Sequence, residues 1–215
     1  MTAPTLGYWE IRGLAEPIRY LLRYANIDFT DKRYTFADRP AWESDKSSLG
    51  LPFPNLPYYI DGDLKLSQSL AILRHLGRKH GLVAQDEAGR ARQEVVEQQL
   101  EDIRLALFMV IMADDWEAKR ADYSTGTLEP QLDLLVKYLG ANDWLTGGQL
   151  SYVDFLAYET LDWLKRFTPD TIGKFPTVGQ YLDRFEALPA IKSYQSSGDY
   201  KQWPLFGPIV KWGSQ

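Results

Sequence analysis

The segment Phe53–Ile72, FPNLPYYIDGDLKLSQSLAI, sets several backbone signals in a row. Pro57 precedes a strand-like run, YYI. Asp61-Gly62 predicts a tight turn, and LKLS predicts a second short strand. A helical pattern follows at once, SQSLAILRHLGRKHGL, ending near Gly81. Gln68 and Ser69 stand where that helix begins. The question is what such a stretch could hold between a proline turn and a helix start.

Working outward, Thr5–Trp9 reads as a strand. GLAEPIRYLLRYANI reads as an amphipathic helix, with Leu14, Ile18, Leu21 and Leu22 at helical spacing and Pro17 in an early turn. FTDKRYTF predicts a second strand. ADRPAWESDKSSLGL is polar and broken, and predicts a loop with one helical turn. The order β-α-β-loop-β-β-α implies one mixed sheet covered by helices. After Leu82 the polar VAQDEAG reads as a linker. From Arg90 the patterns are helical. The long run ARQEVVEQQLEDIRLALFMVIMADDWEAK carries Val95, Leu100, Ile103, Leu107 and Ile111, the last four at three- and four-residue steps. TLEPQLDLLVKYLG, LSYVDFLAYETLDWLKRF and FPTVGQYLDRFEAL follow. The expected organisation is an α/β domain over 1–82 and an all-helical domain over 90–215. Ser151 and Asp154 are spaced as a helix-capping pair, a folding signal rather than a catalytic one.

Composition narrows the chemistry. The chain has 215 residues, 45% of them hydrophobic, which suits a folded core. No apolar run is long enough for a bilayer, and no secretion signal is read at the N-terminus. A formal net charge of -5 argues against nucleic acid as main partner. The chain has no cysteine, so disulfides, thiolate nucleophiles and Cys-based zinc sites are excluded. Any thiol chemistry must use a thiol brought by another molecule. The two histidines, His75 and His80, read as packing on a helix and ending it.

Three motifs together resemble the cytosolic glutathione transferases, and within them the mu class: LGYWEIRGLAEPIR, LGLPFPNLPYYIDGDLKLSQSLAILRHLGRKH and SYVDFLAYETLD. The resemblance covers nearly the whole chain. It implies an α/β thioredoxin-like N-terminal domain plus an all-α C-terminal helical domain. It also implies attack of the glutathione thiol on hydrophobic electrophiles in a cytoplasmic detoxification enzyme. No permanently bound cofactor and no metal are expected, with glutathione as co-substrate. The expected partners are glutathione, small electrophiles and a second copy of the chain.

Read alone, Tyr8 is a packing residue at a strand end. The resemblance makes its hydroxyl a hydrogen-bond donor to the glutathione sulfur. Asn55, Leu56 and Pro57 resemble a turn with a cis proline, leaving the Leu56 backbone N–H and C=O to bond glutathione like an added strand. Gln68 and Ser69, at a helix N-terminus, would take the γ-glutamyl carboxylate, although Ser69 alone reads as an N-cap. Arg39, Trp42 and Lys46 match positions for the glycyl carboxylate, and Trp9 a pocket position. Asp102, by itself a surface carboxylate, would reach the partner subunit's glutathione. Phe53 and Arg74 match dimer-interface positions. Ile11, Leu14, Leu105, Phe108, Met112 and Phe206 are candidates for the electrophile pocket, with plain core packing as the other reading. Met112 stands where many mu members carry a tyrosine, and Gly207 where some carry a hydroxyl. The remaining alternatives are a carrier of apolar ligands, an inactive structural relative and a glutathione-dependent isomerase.

Overall fold

In the computed structural model, which describes residues 3–214, four strands form one mixed sheet in the order β2-β1-β3-β4. Strand β1 (Thr5–Trp9) buries its middle residues and pairs parallel with β2 (Thr30–Tyr34) through helix α1 (Glu16–Tyr24). Pro17 sits in the first turn of α1, where its missing N–H costs nothing. Strand β3 (Tyr58–Asp61) runs antiparallel to β1 and turns back as β4 (Leu64–Ser67). The turn residues are Gly62 and Asp63, one position later than the sequence suggested. Asp61 still belongs to the ladder, opposite Leu64.

The stretch expected as a loop is a ten-residue helix, α2 (Arg39–Ser48). Its apolar face is a single residue, so periodicity could not signal it. Trp42 is buried and stacks on Tyr58, ring centroids 6.2 Å apart. Asp45 accepts from Lys32 Nζ at 2.5 Å and from the Tyr34 hydroxyl at 2.7 Å. Helix α3 (Ser69–Lys79) follows β4, and His80 is its C-cap as expected.

Helix α4 (Glu87–Ile111) begins earlier than the polar composition suggested, because the Asp86 carboxylate caps it by accepting from the Gly89 N–H at 2.8 Å. It also ends earlier. Residues 112–115 break the run, and α5 (Trp116–Asp122) starts afresh. Val95 faces outward, 65% exposed, and its neighbour Val96 takes the core position. A π-helical turn (Tyr123–Leu128) leads into α6 (Glu129–Leu139). Helix α7 (Tyr152–Phe167) is buried along most of its length, and α8 (Pro169–Gly173), α9 (Pro176–Glu186) and α10 (Pro189–Gln195) complete the helical part. The two short helices α8 and α10 were not foreseen. Among the described residues no helix is long and apolar enough to cross a membrane.

The sheet part and the helical part meet at α1 and α7. Arg12, fully buried in the loop after β1, donates twice to Glu159 of α7, at 3.1 and 2.5 Å, and contacts Asp162 at 2.8 Å. Removing one partner of such an ion pair would strand a buried charge, so it fixes how the loop after β1 sits on the helices.

Candidate functional site

Three elements converge at one end of the sheet. The β1–β3 register runs Thr5↔Ile60, Leu6↔Tyr59, Gly7↔Tyr58. One step further places Pro57 beside Tyr8. The β3–β4 register pairs Tyr58 with Ser67, so the next step brings Gln68 to the same end. The Ser67 hydroxyl donates to the Phe53 carbonyl at 2.6 Å, tying the proline turn to the start of α3. The Leu56–Pro57 peptide is cis.

Tyr8 is buried at the base of a cavity of about 540 Å³. Its oxygen accepts from the Leu14 N–H at 3.2 Å. That bond leaves the hydroxyl proton free to be given elsewhere. Burial pushes the Tyr8 pKa up, against the Leu14 bond and the charges of Arg19 and Arg104, so the side chain stays a neutral donor near neutral pH. Gly13 makes the close approach of this loop possible. Its φ is +43°, and a Cβ there would lie 2.7 Å from the Tyr8 oxygen.

The rest of the cavity is mainly apolar. Trp9, Ile11, Leu14, Phe108 and Phe206 line it, with Arg39 at the rim. Phe36 stacks on Trp9 at 4.7 Å between centroids and a 20° interplanar angle. The remaining wall is the C-terminal run Gly207–Val210. Backbone bonds fasten that run: Arg12 N–H to Pro204 O at 3.1 Å, Gly13 N–H to Leu205 O at 2.9 Å, and Lys211 N–H to Ile111 O at 2.9 Å. Gly207 is needed for the fit, since a Cβ there would stand 2.9 Å from Phe36 Cζ. Phe36, Gly13 and the 208–210 wall were not singled out from sequence. Nothing in GPIV has a period to read.

Two of the expected pocket residues are not in the lining. Leu105 is 62% exposed on the outer face of α4, and Met112, the C-cap of that helix, is 44% exposed. Leu105 stands three residues before Phe108 and Met112 four after it, yet of the three only Phe108 reaches the cavity lining.

Of the expected polar site residues, Tyr8 and Arg39 are in the cavity lining, whereas Lys46, Asn55, Gln68, Ser69 and Asp102 are not. Leu56 N–H is not unpaired, as the turn had suggested. The Asn55 side-chain oxygen accepts it at 2.9 Å, a bond between adjacent residues. Gln68, not Ser69, occupies the N-cap position, with φ +73° and no side-chain cap. A non-glycine residue held left-handed at a helix start is an uncommon conformation. Ser69 is the first helical residue. Trp42 is largely buried, whereas Arg39 and Lys46 are open and flank Glu43 at 3.6 and 3.9 Å. Asp102 is exposed on α4. Arg74 pairs with the buried Glu97 through two nitrogens. Phe53 is 75% exposed, the highest value for a large hydrophobic side chain among the described residues.

The chain is similar to known proteins over nearly its whole length. Residues 4–78 match the family described as glutathione S-transferase, N-terminal domain. Residues 101–198 match glutathione S-transferase, C-terminal domain. Glutathione S-transferase Mu 2 of Rattus norvegicus is 44% identical over 213 residues, covering 97% of each chain. Glutathione S-transferase B of Cavia porcellus is 42% identical, covering 98% of this chain and 99% of its own. The crystal structure of the glutathione S-transferase Blo t 8 superposes with a TM-score of 0.89 at 40% identity, covering 97% of this chain and 99% of its own. The chain is therefore a transferase belonging to the glutathione S-transferase family, and it is similar over nearly its whole length to Mu members of that family.

Proposed function

We propose that the protein conjugates glutathione to small hydrophobic electrophiles, with the Tyr8 hydroxyl donating a hydrogen bond to the glutathione thiolate. The observation that carries this reading is the Tyr8 oxygen, already occupied by the Leu14 N–H, which leaves its proton to point at a guest. The thiol proton goes to solvent. The thiolate forms the S–C bond, and on an aryl halide the carbon–halogen bond then breaks to release halide. Glutathione lies along the proline turn, displacing the Asn55 side chain from the Leu56 N–H to make a strand-like pairing beside Pro57. Gln68, Ser69 and the first amides of α3 take one carboxylate. Arg39, Trp42 and Lys46 take the other. The sheet part, to Leu82, supplies the glutathione site, and the helical part from Arg90 supplies the Phe108 and Phe206 walls. Ile11 and Leu14 complete the apolar pocket, whose cavity falls in the usual range for a small-molecule site. A mixture of protein and glutathione should develop thiolate absorbance below the free thiol's pKa and should turn over an activated aryl chloride. Binding without turnover would favour a carrier of apolar ligands.

The wall contact between Gly207 and Phe36 makes a specificity prediction. In Gly207→Val the new side chain meets Phe36, which must leave its stack on Trp9. Such stacking contributes about 1 kcal/mol. The KM for bulky electrophiles should rise roughly fivefold, while the KM for glutathione stays within about twofold of wild type. Equal changes in both would show that the wall also shapes the glutathione site.

A homodimer is part of the same proposal. Phe53 stands exposed ahead of the turn, and Val95, Leu105 and Met109 form an exposed apolar stripe on α4 that includes Asp102. Isolated exposed apolar residues are ordinary, but a stripe plus an aromatic knob marks an interface. Asp102 then extends toward the partner's glutathione, and Arg74 lies near the symmetry axis. Phe53→Glu should shift sedimentation from dimer toward monomer at micromolar concentration. A wild type that sediments as a monomer would remove both the interface and the Asp102 role.

A further inference from the structure

Two sides of the cavity lead back to one carboxylate oxygen. Glu159, on α7, is fully buried. Its Oε1 accepts from Arg12 Nε at 3.1 Å and from the Trp163 Nε1–H at 2.7 Å. Its Oε2 accepts from Arg12 Nη2 at 2.5 Å. Arg12 belongs to the loop after β1, where two residues on the Leu14 N–H holds the Tyr8 oxygen at 3.2 Å. Trp163 packs edge-on to Phe206 at 4.7 Å and to Phe108 at 6.1 Å, two walls of the cavity that it does not itself line. Arg104 lies over the same indole, 4.5 Å from its centroid. Arg12 Nη2 also contacts Asp162 at 2.8 Å, while its Nη1 is buried without a hydrogen-bond partner among the described residues. An indole has a single N–H, so Glu159 takes the whole of Trp163's donor capacity. Burial pushes the Glu159 carboxyl up to about 7, the Arg12 charge opposes that rise, and Glu16 and Asp162 add to it.

We propose that Glu159 is a positioning residue of the active site, a bridge that registers the loop bonded to Tyr8 against the Phe108–Phe206 wall. The inference rests on the proposed glutathione chemistry and deepens it. In that chemistry the sulfur lies beside Tyr8 and the electrophile lies against Phe108 and Phe206. Forming the S–C bond needs the two in register, and a misplacement of about 1 Å can cost roughly 10²-fold in rate. The backbone already ties the loop to the C-terminal run, through Arg12 N–H to Pro204 O and Gly13 N–H to Leu205 O. Those bonds reach the segment of Phe206 but not α7. Glu159 supplies the hold of α7, at Arg12 for the loop and at Trp163 for the wall. A carboxylate suits the place, because its two oxygens accept and can serve all three donors. An amide offers one accepting oxygen and brings two hydrogens of its own. Hydrogen bonds that lock the side chains behind a site are what keep its geometry.

The test compares Glu159→Gln, Trp163→Phe and the double variant in the full chain. Absorbance of the bound glutathione thiolate is read against pH. KM is read for glutathione and for a nitro-substituted aryl chloride at a pH above the Glu159 value, where the carboxylate is ionised. In Glu159→Gln the amide cannot serve all three donors, although Asp162 still opposes the Arg12 charge. The thiolate pKa should rise by about half a unit, a roughly threefold change. The aryl chloride KM should rise about threefold, with the glutathione KM within about twofold. Trp163→Phe keeps a ring in the wall but loses the donor. It should raise the aryl chloride KM by a similar factor and leave the thiolate titration where it was. The double variant separates the bridge from packing alone. With Trp163 already released, Glu159→Gln should still move the thiolate pKa but should add nothing to the aryl chloride KM. If Glu159→Gln does not fold, Trp163→Phe decides the matter by its two readouts. An unmoved titration in Glu159→Gln, KM changes that add in the double variant, or a Trp163→Phe that shifts the titration or spares the aryl chloride KM overturns the inference while leaving the conjugation chemistry intact. No thiolate band in wild type overturns both.

Discussion

Tyr8→Phe is expected to lower turnover at pH 6.5 by about tenfold to a hundredfold while the protein stays folded and keeps its affinity for glutathione. The substitution removes one oxygen and little volume. What it removes chemically is the donor to the sulfur. A hydrogen bond to a charged group contributes roughly 1.5–3 kcal/mol, which corresponds to about one to two pKa units on the thiol. From a reference near 8.5 that is the difference between a mostly ionised and a mostly protonated sulfur at neutral pH. The sign of the pH dependence follows. The deficit should be largest below the wild-type thiolate pKa and should shrink as pH rises through the variant's. Burial raises the pKa of Tyr8 itself, so a tyrosinate base is disfavoured. A tyrosinate base would give a loss that did not recover at high pH. Thiolate absorbance and kcat/KM measured over the same pH range separate the two. Coincident titrations for wild type and Tyr8→Phe would remove the donor role.

The residues of this site differ in how far the sequence could announce them. Tyr8 and the NLP turn are carried by local motif, and the β1–β3 register then places them side by side. The Gln68 conformation could not be read. Glutamine has no special preference for positive φ, and only the turn from β4 into α3 imposes it. Helix α2 escaped because it buries one tryptophan, and one residue sets no period. Val96, rather than Val95, takes the core position. Val95 stands five residues before Leu100, off the three- and four-residue period, whereas Val96 stands four before it and is buried. Leu105, Phe108 and Met112 follow Asp102 at three- and four-residue steps along one side of the helix. Which face meets the cavity depends on how α4 lies against the C-terminal segment, and the Lys211–Ile111 bond that sets this spans a hundred residues of chain. Local spacing therefore located the helix residues but not the direction in which Leu105 and Met112 face.

Asp154→Ala is expected to cost roughly 3–5 kcal/mol of stability without changing the specific activity of the molecules that remain folded. The Ser151–Asp154 pair was legible as a cap, and it is present at the start of α7. The carboxylate does more than close a helix. Its Oδ1 accepts from the Leu145 N–H at 2.9 Å and the Tyr181 hydroxyl at 2.8 Å. Its Oδ2 accepts from the Ser151 N–H at 2.8 Å and the Ser151 hydroxyl at 2.9 Å. Asp154 is fully buried, so these donors have no water to turn to. Burial raises its pKa and the four donors oppose that rise, which is the balance expected of a carboxylate kept for its acceptors. Each stranded donor costs about 1–3 kcal/mol, less whatever the loop recovers by relaxing. Asn is the informative control. It keeps the shape, but its amide nitrogen would face a donor in place of one accepting oxygen. Asp154→Asn should therefore be nearly as destabilising as Asp154→Ala, rather than intermediate. Urea midpoints with an unchanged m-value would measure both. Since typical domains hold only about 5–15 kcal/mol in reserve, a drop of this size should also cut the soluble yield. A loss under about 1 kcal/mol for either variant would mean that water can enter and replace the carboxylate. A normal urea midpoint with lost activity would move Asp154 from the fold to the chemistry.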